Sequence, residues 1–194
     1  MDNIANQATL LYNNMTTNSN TVTTQILSLY DLTATKEALL DTYTPNQTIT
    51  YVTRVENTGS ASLYNLTVVD DLAKGLTQYV DNSVEGYLNG TPIEVNVQIT
   101  NNTVIFTIDN VINPNDNVLI IFETTTPTTR PDVLTNTQTI TANGGSTTGP
   151  IVAVTPNPSA TVTLANYVSL DITKSANKAS IYSGDTLVYT FQII

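Results

Sequence analysis

The feature that most constrains this chain is a two-residue rhythm. In "TITYVTRVEN" (48–57) Ile49, Tyr51 and Val55 fall on one parity, and "NTVIFTIDN" repeats the pattern with Val104, Phe106 and Ile108. Alternate side chains of an extended segment point to opposite faces, so each run reads as a strand with one face for a core. Turn signals separate the runs: "NTGS" at 57–60, "LNGTP" at 88–92, "NPNDN" at 113–117 and "NGGSTTGP" at 143–150. Short strands with turns between them predict an all-β chain folded as an antiparallel sandwich. Only "TATKEALLD" near Thr33 has a helical look, and it is too short to stand alone.

The 194 residues are enough for a real core, and with 40% apolar and only 11% charged residues the polarity comes from Thr and Asn. Six Lys and Arg against a formal net charge of -10 leave no basic patch for phosphates, which argues against nucleic acid as a partner and against adsorption to anionic membranes. No apolar run approaches the roughly 20 residues of a membrane helix, so no membrane insertion is expected. The chain has no Cys, no His and no Trp. Disulfides, thiolate metal sites, Ser-His-Asp chemistry and the commonest transition-metal ligand are therefore absent, and no enzyme, cofactor or metal centre is expected. The opening "MDNIANQATL" has an acidic residue where a secretory leader is basic, so export would need another leader or another route.

The chain repeats itself. Without gaps, 32–56 aligns on 170–194, and Leu32, Thr35, Lys36, Ala38, Thr48 and Tyr51 recur as Leu170, Thr173, Lys174, Ala176, Thr186 and Tyr189. More weakly, "NQATLLYN" (6–13) matches "NTQTITAN" (136–143), and "TVTTQILSL" resembles "ATVTLANYV". The expected organisation is closing strands of a partial repeat (1–30), a complete sandwich (31–165) and opening strands of a further partial repeat (166–194). The last stretch, "SGDTLVYTFQII", reads as the front edge of a repeat cut before its first hairpin turn.

The segment 35–76 resembles the repeat domain found in tandem in bacterial cell-surface proteins, the domain of unknown function eleven type. Lys36, Tyr51, Asn57-Thr58-Gly59, Asp70, Leu72, Gly75-Leu76 and Asn136 match that pattern, and the second copy supplies Ser183-Gly184-Asp185 and Tyr189. Asn46-Gln47 stands where the pattern has Gly-Asp, and Ala73 where it has Pro. The resemblance implies an immunoglobulin-like or prealbumin-like sandwich and a structural or adhesive role outside the cell, on a bacterial cell or spore surface.

The pattern is also similar to collagen-adhesin-type domains, and that likeness implies an internal isopeptide bond between Lys36 and Asn136 with Asp70 as the acid. Such a bond needs an amine whose pKa burial lowers and a protonated carboxyl that polarises the amide. The plainer alternative has Lys36 exposed, Asp70 capping a turn and Asn136 bonded to backbone, and the apolar phase of "TATKEA" does not force Lys36 inward.

Asn113, Asn115, Asp116 and Asn117 offer oxygen atoms for calcium, but without EF-hand spacing they read as an Asx-turn hairpin. Asp70 and Asp71, as neighbours on a strand, face opposite ways and cannot act as paired glycosidase carboxylates. The sequons at Asn14, Asn65 and Asn101 are expected by chance in so Asn- and Thr-rich a chain, and Tyr51, Tyr64 and Phe106 are expected in the core or at its edge.

Partial repeats at both ends leave apolar strand faces open, which is hazardous unless something covers them. The expectation is a head-to-tail homopolymer in which Leu187, Tyr189, Phe191 and Ile193 of one subunit meet Ala8, Leu10 and Tyr12 of the next by strand addition. Lys174 and Asn6 would then occupy the positions of Lys36 and Asn136, with no counterpart of Asp70. The competing expectation is an adhesin or stalk module that meets a host or matrix ligand.

Overall fold

In the computed structural model, which describes residues 3–165 and 172–193, the chain forms two units, Met1–Leu164 and Ala165–Ile194. Unit 1 opens with four short strands, β1 (Asn3–Asn6), β2 (Thr9–Tyr12), β3 (Met15–Asn18) and β4 (Val22–Gln25), all exposed. β1 pairs with β4 and β2 with β3.

The sandwich follows. One sheet runs β11 (Thr91–Ile93), β10 (Glu85–Leu88), β14 (Asn117–Thr125), β7 (Thr48–Asn57), β5 (Leu32–Ala38), with β9 (Gln78–Tyr79) also on β14. The facing sheet runs β12 (Asn96–Thr100), β13 (Thr103–Ile108), β8 (Leu63–Asp71), β15 (Val133–Gly144), β17 (Ser159–Leu164), β6 (Thr42–Tyr43), with β16 (Ile151–Ala153) on β15. Among the described residues all pairings are antiparallel except β17 with β6, which is parallel. Unit 2 is a hairpin of β18 (Ile172–Ala176) and β19 (Tyr189–Ile193).

Period-two patterning accounts for the core. Ile49, Tyr51 and Val55 of β7 and Val104, Phe106 and Ile108 of β13 are all fully buried, whereas Tyr64, expected in the core or at its edge, is half-buried and packs outside the core cluster. Tyr51 stacks on Phe122 at a centroid distance of 5.7 Å, and Phe106 meets Phe122 at 5.0 Å. The segment with the helical look is strand β5, paired with β7 from Leu32↔Asn57 to Ala38↔Tyr51. Pairing along a long buried strand overrides a weak local helical preference.

The abundant Asn residues have a local reason. Two-residue hairpin turns that match the right-handed strand twist require positive φ at both central positions. Asn13 and Asn14, Asn89 and Gly90, and Asn101 and Asn102 supply it, with φ between 48° and 80°. The departure from Gly-Asp before β7 is equally conservative. Asn46 adopts φ 59° where Gly184 has 92°, and Gln47 Oε1 accepts the Thr44 amide at 2.7 Å as Asp185 Oδ2 accepts that of Tyr182 at 3.1 Å.

Candidate functional site

Three elements from two sheets meet around one carboxylate. Asp70 lies on β8, and Gln138 is its direct cross-strand partner on β15, with Asn136 two residues along the same inward face. From the opposite sheet, β5 contributes Lys36. Asp70 Oδ2 accepts from Lys36 Nζ at 2.6 Å, from Gln138 Nε2 at 2.9 Å and from Asn136 Nδ2 at 3.2 Å. Gln138 Oε1 in turn accepts the Thr53 hydroxyl at 2.8 Å, which ties the cluster back to β7.

Lys36, Asp70, Asn136, Gln138 and Thr53 are all buried. The plainer alternative for the three predicted residues is therefore corrected. Lys36 shares the inward parity of Leu32 on β5, Asp70 is an interior acceptor rather than a turn cap, and the Asn136 amide donates to a side chain. The turn beyond β8 is held instead by Asp71, whose Oδ1 accepts the Lys74 amide and whose pKa the Lys74 side chain lowers.

Burial pulls the Lys36 ammonium down from 10.5 to about 8, against the opposing attraction of Asp70. Its Nζ also lies over two aromatic faces, 4.8 Å from the Tyr51 centroid and 5.1 Å from that of Phe122. Burial first and the Asp70 charge second push Tyr51 up to about 12, while the Asn136 side chain holds it back. Three buried polar atoms in this pocket lack a partner in hydrogen-bonding geometry: Asp70 Oδ1, Asn136 Oδ1 and Tyr51 Oη. Chemically, the site holds an amine with weakened basicity, a carboxyl placed to exchange a proton with it, and a carboxamide with an unsatisfied carbonyl.

Gln138 and Thr53 are the members that sequence reasoning missed. Leu134 and Ile140 flank Asn136 and Gln138 at period two, and that spacing was the available signal.

The other candidates stay apart from this cluster. The expected Asx-turn hairpin is corrected: Asp116 accepts the amide of Asn113, three residues before it, and the Asn89 side chain, each at 2.7 Å, in a turn closed by Asp116 N on the Asn113 carbonyl at 3.0 Å that joins β13 and β14 of different sheets. No group of three metal-ligating His, Cys, Asp or Glu occurs among the described residues.

The carboxy-terminal hairpin copies a register of the sandwich. Lys174↔Phe191 and Ala176↔Tyr189 reproduce Lys36↔Thr53 and Ala38↔Tyr51, and Lys174 Nζ lies 4.0 Å from the Tyr189 centroid. At the amino terminus β1 pairs with β4 antiparallel, as β15 does with β17, but one residue out of step with the sequence match: Asn6 faces Val22, whose counterpart is Thr161, whereas Asn136 faces Ala160. Tyr189, Phe191 and Ile193, like Leu10 and Tyr12, are exposed. Two residues expected in pairing strands lie just outside them. Leu187 precedes β19, and Ala8 sits in the break between β1 and β2, where the Ser19 hydroxyl takes its amide at 2.9 Å.

No protein-family model matches the sequence, and no curated protein does. Solved structures do. BcpA, the major pilin subunit of Bacillus cereus, superimposes with a TM-score of 0.57 at 12% identity, over 97% of this chain and 62% of that one. A variant of BcpA gives 0.58 at 11% identity, over 96% of this chain and 60% of that one. Domains D2 and D3 of the major pilin SpaD from Corynebacterium diphtheriae give 0.54 at 15% identity, over 78% and 57%. The chain thus spans 57–62% of the length of these pilin chains. The likeness shows the fold: an all-β, immunoglobulin-like sandwich.

Proposed function

We propose that the chain is a structural repeat of a bacterial surface fibre, on a cell or spore, whose sandwich is closed by an amide bond between Lys36 and Asn136. The observation that carries this reading is the meeting of Lys36 and Asn136 on one buried carboxylate oxygen, Asp70 Oδ2. Asp70 takes a proton from the Lys36 ammonium, the freed amine attacks Asn136 Cγ, and ammonia leaves. Lys36 is on β5 of one sheet and Asn136 on β15 of the other, so the bond joins the two layers of the sandwich. Intact mass tests it: the folded chain weighs about 17 Da less than its sequence, the loss of one ammonia per amine–carboxamide condensation. An unshifted mass overturns the bond.

The register that the carboxy-terminal hairpin shares with β5 and β7, and the exposed apolar faces of both terminal segments, support a tandem or head-to-tail fibre in which each partial repeat is completed by another copy. That contact is heterologous and propagates rather than closing on itself. The pilin-like fold agrees with such a part, as does resemblance to tandem surface repeats of the domain of unknown function eleven type. Electron microscopy of the purified chain should show filaments. Monomers at every concentration would sink self-assembly and turn the reading to a stalk or adhesin module that meets a host or matrix ligand.

A further inference from the structure

Which group stabilises the negative charge that develops on the Asn136 carbonyl when Lys36 attacks it? The amide presents its nitrogen, not its oxygen, to Asp70, at 3.2 Å. The acid is therefore placed to protonate the departing nitrogen. Asn136 Oδ1 is buried with no hydrogen-bond partner, and so is the hydroxyl of Tyr51. One is an acceptor that gains charge in the reaction, the other a donor with no acceptor. Both residues adjoin the Lys36–Asp70 pair: Asn136 Nδ2 is 3.2 Å from Asp70 Oδ2, and Lys36 Nζ stands over the Tyr51 ring at 4.8 Å.

We infer that the Tyr51 hydroxyl is the oxyanion donor of the cross-linking reaction, hydrogen-bonding Asn136 Oδ1 as Lys36 adds to the carbonyl. The inference rests on the Lys36–Asn136 reading above. The Nζ–Cγ bond forms and the Cγ–Nδ2 bond breaks. Of the two protons that leave the Lys36 ammonium, one ends on the departing ammonia and one stays on the Asp70 carboxyl. Tyr51 gives up no proton. It stabilises the tetrahedral intermediate through a bond that is unmade in the ground state, the condition for an interaction to accelerate a step rather than merely bind. Burial and the Asp70 charge raise the Tyr51 pKa, so the hydroxyl stays protonated at every pH where Lys36 can react. The terminal hairpin repeats the pairing, with Lys174 Nζ 4.0 Å from the Tyr189 centroid.

The test uses the full chain, isolated unfolded in urea and diluted into native buffer, with loss of ammonia followed by mass spectrometry. Tyr51→Phe keeps the ring and its stacking on Phe122 and deletes only the hydroxyl. Cross-linking is expected to slow by about 10²-fold, the usual effect of removing one oxyanion donor. A second measurement separates chemistry from packing: Lys36→Met/Tyr51→Phe should melt no lower than Lys36→Met alone. Cross-linking of Tyr51→Phe at the wild-type rate overturns the role of Tyr51 and leaves the bond intact. A slowed variant whose Lys36→Met counterpart also melts lower overturns it as a packing effect. A wild-type chain that loses no ammonia overturns both readings, and is told apart by the wild-type mass alone.

Discussion

Lys36 Nζ lies 2.6 Å from Asp70 Oδ2 with both side chains fully withdrawn from solvent, across the interface of two sheets. An ion pair so placed contributes little net stability, but removing one member leaves a buried charge with no partner, at about 3–5 kcal/mol. Asp70→Ala, made on an Asn136→Ala background so that no cross-link complicates the comparison, should lose stability in that range by urea unfolding. It should also leave Lys36 with no acceptor for its proton, so Asp70→Ala alone stays at full sequence mass. A cross-linked Asp70→Ala chain would show that the carboxyl is dispensable.

The pH dependence of the reaction separates two roles for Asp70. If a free amine alone were required, the rate would climb with pH and level off above about 8, where Lys36 loses its proton. With Asp70 as proton carrier, the reactive state is the pair holding one shared proton, a tautomer of the ion pair. The pair keeps that proton up to about pH 8 and loses it above. The rate of ammonia loss should therefore be flat from pH 6 to 8 and fall about tenfold per pH unit beyond. The stability of the un-cross-linked Asn136→Ala chain runs the other way. Its Lys36 has a folded pKa near 8 against 10.5 unfolded, so the unfolded chain binds more protons between those values. The cost of burying the ammonium is full below pH 8 and is relieved as pH rises toward 10.5.

Much of the sandwich is legible as alternation, because Ile49, Tyr51, Val55, Val104, Phe106 and Ile108 are large enough to mark an inward face by themselves. Lys36 is less legible for a physical reason. Its same-face neighbours Ala34 and Ala38 are small and bury little area, so the phase of β5 is weak in the sequence although the strand pairs along its whole length. Gln138 hides among Thr and Asn, and its inward position follows only once Leu134 and Ile140 are taken as markers of parity on β15. Tyr51 is evident as a core ring. Its hydroxyl matters only when the orientation of the Asn136 amide is known, which no local pattern encodes.

Gln138 couples the acid to β7: it donates to Asp70 Oδ2 at 2.9 Å and accepts from Thr53 Oγ1 at 2.8 Å. Gln138→Leu would strand the buried Thr53 hydroxyl and remove one of the three donors to Asp70, a loss of about 1–3 kcal/mol. Adding Thr53→Val removes the stranded group, so the double variant should cost less than the sum of the singles by about 0.5–3 kcal/mol. Strict additivity in urea melts would show that the two side chains do not act as a chain.

Gly59 explains the Asn-Thr-Gly motif in terms of the chain that enters the sandwich. Asn57 is buried, donating to the carbonyls of Ala61 and Ile112 at 2.9 Å each and accepting the Gly59 amide at 3.0 Å, which folds the turn back against 29–31. There Ser60 N donates to the Leu29 carbonyl and Leu29 N to the Ser60 hydroxyl, both at 2.9 Å, and Thr58 Oγ1 donates to Asp31 Oδ2 at 2.8 Å. A Cβ on Gly59 would collide with the Leu29 carbonyl oxygen and stand 2.8 Å from the Asp31 nitrogen. Both obstacles are backbone and cannot swing aside, so Gly59→Ala must push 29–31 off the turn. The expected cost is that of overpacking, about 1–3 kcal/mol. Hydrogen exchange should localise it, with faster exchange at the Leu29 and Ser60 amides and unchanged protection in β7 and β14, whose ladder runs from Asn117↔Glu56 to Thr125↔Thr48 away from the clash. Uniform loss of protection across β7 and β14 would mean that the turn supports the whole sheet rather than clamping the entering chain.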